Sequence, residues 1–152
     1  KQFMIQAGDI NSKDAPIDQH LGDGDLDYTI PAEIIYPKYF HKRGMLCAAR
    51  VGDDDNPERA SSATQFYIVT GKYFTEMELN KMEKEEEITF TSEQREAYMF
   101  KSGAPHIDGK YTIFGEVVDG MKTVEKIQFT ETNHDDRPVK NIIIKSMKIV
   151  LK

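Results

Sequence analysis

The feature that most restricts this chain is the brevity of its β-prone runs. Gln65-Phe66-Tyr67-Ile68-Val69-Thr70 has the composition of an inner strand, and Gly71 stops it. Phe3 to Gln6 ends at the turn signal Ala7-Gly8-Asp9. Tyr28–Ile30 and Gly44–Ala49 are equally short. Tyr111-Thr112-Ile113-Phe114-Gly115 and Glu116-Val117-Val118 form a strand pair or one bent strand, ended by Asp119-Gly120. A last β-prone stretch runs from Val139 to Leu151 around Ile142, Ile143 and Ile144. Between these runs lie a loop at 11–29 and the acidic loop Asp53-Asp54-Asp55-Asn56-Pro57-Glu58. Many short strands between turn signals predict a mainly β chain, a barrel or a sandwich. The 152 residues suit a single domain spanning 1–152.

Two helical segments interrupt the strands. Thr75-x-x-Glu78 and Thr91-x-x-Gln94 both fit the capping box, in which each partner's side chain satisfies the other's free backbone N–H. They predict helices over Glu76–Glu86 and Ser92–Phe100. The stretch 72–103 carries 5 basic and 8 acidic residues, so half of the net charge of −6 sits there. It reads as a solvated helical insertion on a β scaffold; a partner-docking arm is the sharper alternative. A third short helix is predicted at Met121–Ile127.

The net negative charge argues against a nucleic-acid binder, which would carry a basic face, and against docking on anionic membranes. With 39% apolar residues the chain can bury a core, so global disorder is excluded. No apolar run approaches the ~20 residues that span a bilayer, so membrane insertion is not expected. The single Cys47 rules out an internal disulfide and lies in an apolar run, where a small buried filler is its expected role. Asp23-Gly24-Asp25-Leu26-Asp27 resembles a calcium loop only briefly, because Tyr28 and Ile34 stand where the loop needs Gly and Glu. His134-Asp135-Asp136 has no second cluster to complete a metal site, and His20, His41 and His106 are scattered. No metal or cofactor is expected. There is no nucleophile elbow, P-loop or dinucleotide fingerprint. Any catalysis must therefore work by binding and positioning.

Four segments, in order, carry a family resemblance. They are Phe3-Met4-Ile5-Gln6-Ala7-Gly8-Asp9, Arg43-Gly44-Met45-Leu46-Cys47-Ala48-Ala49, Ser61-Ser62-Ala63-Thr64-Gln65-Phe66-Tyr67-Ile68, and His106-Ile107-Asp108-Gly109-Lys110-Tyr111-Thr112-Ile113-Phe114-Gly115-Glu116-Val117. The chain resembles a cyclophilin, a peptidyl-prolyl cis-trans isomerase, and looks more like the bacterial members. The resemblance implies an eight-stranded antiparallel barrel with capping helices. It implies a proline pocket at Phe3, Met4, Tyr67 and Ile107, with Gln6 and Gln65 as polar residues lining the groove. Phe3, Gln6, Gln65 and Tyr67 would be the catalytic set. Ala49 and Arg50 would run beside the bound peptide and offer backbone hydrogen bonds. His106 stands where many eukaryotic members carry Trp, Tyr111 where they carry His, and Tyr67 where Phe is usual.

The resemblance also places the family's catalytic arginine about five residues before Phe3, upstream of Lys1. The family's first two strands and first helix fall there too, so the sequence reads as N-terminally incomplete. The implied partners are proline-containing segments of client proteins, the implied state is a monomer, and the trimmed start leans towards the cell envelope. A proline-peptide binding module without turnover is the alternative function.

Overall fold

The computed structural model describes residues 1–151, and the short strands fall where turn signals isolate them. Strand β1 spans Met4–Ala7, β2 Thr29–Ile30, β3 Met45–Ala48, β4 Ser61–Ser62, β5 Phe66–Val69 and β6 Ile113–Glu116. Four of them form an antiparallel sheet in the order β1-β5-β3-β6, and β2 pairs with β4. The register sets Gln6 beside Tyr67 and Tyr67 beside Cys47, so these three share one face. On that face Met45, Cys47, Tyr67 and Val69 are buried with Ala49, Ala104 and Ile107. Phe3, Met4, Tyr111 and Ile113 pack against this cluster from its edges. Cys47 has no exposed surface, as befits a buried filler, and burial pushes its thiol up to about 12.

The helices form as their caps dictate. Helix α1 spans Glu76–Glu86 and α2 spans Ser92–Phe100, with both capping boxes closed. Helix α3 covers Met121–Gln128 and packs on β1. The insertion packs Phe74, Leu79, Phe90, Ala97 and Tyr98 with Phe40 of the scaffold into a second core. It leaves and rejoins the sheet at one neck, where Lys72 and Gly103 exchange backbone hydrogen bonds of 3.1 and 3.0 Å. Gly71, at φ +62°, lies so close to the Gly103 backbone that a side chain would collide with it.

One expectation needs correction. The predicted strand within Val139–Leu151 does not form among the described residues. Ile143, Met147, Ile149, Val150 and Leu151 are exposed, because no neighbouring strand offers this stretch a ladder. The described residues form six strands in two sheets, an antiparallel arrangement that hydrogen bonds leave open where the family's first strands would stand. The expected Gly44–Ala49 run is realised as Met45–Ala48, with a bulge between Leu46 and Cys47 where β3 meets β6. The strand β4, only two residues long, left no sequence signal.

Candidate active site

Gln6 and Gln65, far apart in sequence, meet because β1 and β5 are ladder neighbours. Gln6 Nε2 donates to Gln65 Oε1 at 2.8 Å. Gln65 Nε2 donates to the Gly22 and Gly24 carbonyls at 2.8 and 2.9 Å. That loop is held from its other side by Asp9, whose Oδ2 accepts the N–H groups of Gly22 at 2.5 Å and Gly24 at 3.2 Å. A cavity of about 850 Å³ opens here, lined by Gln6, Ala49, Arg50 and Gln65 on the sheet side and by Asp25, Asp55 and Glu58 among the loops. Burial alone would raise the Asp25 carboxyl, but hydrogen bonds from Ser62, Leu26, Thr64 and Ala63 hold it below its ordinary value.

The four apolar residues expected around a proline ring also come together. Tyr67 and Ile107 are buried, and Phe3 and Met4 pack against their cluster. Phe3 faces His106 with ring centroids 5.0 Å apart. Burial, followed by the nearby Lys110 charge, lowers the His106 pKa from its ordinary value. These residues form a packed apolar cluster beside the cavity, and none of the four lines the cavity itself.

Arg50 and Ala49 divide their roles. The Ala49 N–H donates to the Gln65 carbonyl at 3.0 Å, and its carbonyl accepts the Ser62 N–H at 2.8 Å. The Arg50 guanidinium is engaged at each nitrogen: Nε donates to the Lys110 carbonyl at 3.0 Å, Nη1 to the Val51 carbonyl at 2.9 Å, and Nη2 pairs with Asp53 at 2.6 Å. It also lies 4.4 Å from the Tyr111 ring centre. This arginine braces the groove, and its side chain is 4% exposed.

Sequence reasoning passed over His41 and Asp108. His41 is completely buried, and its Nδ1 lies 3.0 Å from Asp108 Oδ1 while its Nε2 lies 3.1 Å from the Tyr67 hydroxyl. The only available signal was Asp108 inside the last family segment, without a role attached. Burial pushes the Tyr67 phenol well above its ordinary value. No group of three His, Cys, Asp or Glu side chains able to hold a metal ion occurs among the described residues.

The family model for cyclophilin-type peptidyl-prolyl cis-trans isomerases matches residues 1–149. The chain therefore belongs to the cyclophilin-type peptidyl-prolyl cis-trans isomerase family. A protein of Staphylococcus epidermidis named for that activity is 28% identical over 147 residues, 97% of this chain and 67% of the relative. A Staphylococcus aureus protein of the same name is 28% identical over 148 residues, again covering 97% and 67%. The chain thus spans about two thirds of the length of these relatives. Among solved structures, a Cryptosporidium parvum cyclophilin-type isomerase crystallised in the presence of the dipeptide Ala-Pro superposes with a TM-score of 0.63 at 23% identity. That match covers 100% of this chain and 71% of the other. A second structure of the parasite protein gives a TM-score of 0.60 at 24% identity over 95% of this chain and 65% of its own. At these identities the likeness establishes the cyclophilin fold.

Proposed function

We propose that this domain catalyses rotation about X-Pro peptide bonds in extended or unfolded client segments. The observation that carries the reading is the convergence of Phe3, Met4, Tyr67 and Ile107 beside a cavity edged by the Gln6–Gln65 pair. Family membership and the neighbour crystallised in the presence of Ala-Pro support it.

The rotation barrier of ~18–20 kcal/mol is amide resonance. It is lost at the twisted transition state, where the prolyl nitrogen regains its lone pair. No nucleophile or base is needed, only tighter binding of the twisted amide than of the planar one. A million-fold acceleration asks about 8 kcal/mol of that difference. The apolar cluster would grip the ring and strip its water. The Gln6 and Gln65 amides would hold polar atoms of the turning peptide. Arg50 contributes main-chain groups, which make no hydrogen bond with the described residues. A cation facing the prolyl nitrogen would add electrostatic stabilisation.

Because the Arg50 guanidinium is engaged by four partners, a second reading has an observation behind it: a module that binds proline peptides without turning them over. NMR exchange spectroscopy on a short X-Pro peptide with catalytic amounts of the full-length protein separates the two. Exchange peaks linking the cis and trans forms are expected. Peptide shifts without exchange peaks would replace the enzyme by the binding module.

A further inference from the structure

Helix α2 stands away from the groove, yet a buried chain of polar groups joins it to Tyr67. The chain begins in a capping box. Gln94 Oε1 accepts the Thr91 N–H at 2.8 Å, so the amide must turn its Nε2 inwards. There Nε2 donates to the Tyr36 hydroxyl at 3.1 Å and to Asp108 Oδ2 at 3.2 Å. Tyr98, one turn further along the helix, donates its hydroxyl to the same oxygen at 2.5 Å. The other carboxylate oxygen accepts the His41 main-chain N–H at 2.7 Å and the ring Nδ1–H at 3.0 Å. A carboxylate can only accept, so Nδ1 carries the proton, and in the neutral ring Nε2 remains an acceptor. The Tyr67 hydroxyl, 3.1 Å away, donates to it.

His41, Gln94 and Tyr98 have no exposed surface, and the Asp108 side chain is 2% exposed. In such a site a satisfied hydrogen bond fixes geometry strongly, because breaking it leaves an unsolvated polar group. The rings repeat the constraint. His41 stacks on Tyr67 with planes 11° apart, and Tyr111 meets both edge-on. A phenylalanine would serve the apolar task of the proline pocket at this strand position. The extra hydroxyl of Tyr67 is used on His41.

We propose that Asp108 and His41 are positioning residues that fix the Tyr67 ring against the proline, and that α2 sets their place through Gln94 and Tyr98. The inference rests on the proline-site reading above. No proton moves along the chain; what it transmits is ring orientation. The insertion is accordingly part of the scaffold of the site and its helix α2 a lever on turnover.

The test is Tyr98→Phe, which keeps the ring in its core and removes one donor to Asp108, made alone and with Tyr67→Phe. Three quantities are read by NMR: the cis–trans exchange rate of saturated X-Pro peptide, the peptide Kd, and the ¹⁵N signals of the His41 ring. Alone, Tyr98→Phe is expected to slow exchange by about three- to tenfold, leave Kd within about twofold, and shift the His41 Nε2 signal. With Tyr67 already Phe, the same change should move the rate by less than about twofold. Equal slowing in both backgrounds, or no slowing in either, overturns the proposal. If the parent protein exchanges no peptide, the isomerase reading falls, and the His41 and Tyr67 ring signals decide the coupling: moved by Tyr98→Phe they support it, unmoved they overturn it. Should Tyr98→Phe unfold the domain, Asp108→Asn is read by the same signals.

Discussion

The insertion at 72–103 and the stretch 139–151 are both rich in large apolar residues, and they end in opposite states. In the insertion Leu79, Phe90, Ala97 and Tyr98 are all buried. In the later stretch Ile149 is 93% exposed and Leu151 is 90% exposed. A helix closes its backbone hydrogen bonds within itself, so α1 and α2 need only one apolar face and a neighbour. A strand needs another strand before it exists at all. High β-propensity without a ladder partner therefore leaves exposed chain outside any sheet.

The contrast can be broken at several points. The largest effect belongs to Leu79→Ala, which hollows the insertion core and should cost about 2–5 kcal/mol in urea unfolding. A loss under ~1 kcal/mol would mean that this core is not packed as described. Next is Thr91→Ala, expected to cost about 1 kcal/mol through the lost cap. Only the Gln94 main-chain N–H loses its acceptor, while the Thr91 N–H still holds Gln94 Oε1, so the His41 ring signals should stay in place. A third effect depends on pH. The Thr75 backbone N–H, then Lys72 and the Thr75 hydroxyl, lower the Glu78 carboxyl from its ordinary 4.5 to about 2. A lowered folded-state value stabilises fully above 4.5 and loses that contribution as pH falls towards about 2. Comparing thermal midpoints of parent and Glu78→Gln across that window should show the gap between them closing on acidification. The smallest change is Ile149→Ala, which should alter stability by no more than ~0.5 kcal/mol. A larger loss would reveal a packed partner for this stretch.

Legibility in the sequence followed the same division. Both capping boxes are local patterns, and the two helices begin and end where those patterns predict. The strands with turn signals at their ends were legible as well. What escaped were the features created by chain crossings. His41 looked like a scattered histidine because nothing near it in sequence reveals Asp108 or Tyr67, 67 and 26 residues away. The meeting of Gln6 with Gln65 and the place of Tyr67 in the neighbouring apolar cluster were expected through the resemblance alone, since one apolar strand residue is indistinguishable from ordinary core by composition. The Arg50 brace was missed because two of its four partners are main-chain carbonyl groups, which every residue has.

The loop at 22–24 hangs from two side chains, Asp9 on one side and Gln65 on the other. Gly24 fits so closely under Asp9 that a side chain there would run into the carboxylate. One rim of the cavity is therefore already ordered before any peptide arrives. Ordering interface side chains and loops on association is a direct subtraction from affinity, about 0.5–1.5 kcal/mol for each immobilised flexible side chain. A peptide that meets this rim is spared that entropic loss there, and its arrival and departure can be fast without waiting for the protein to change shape.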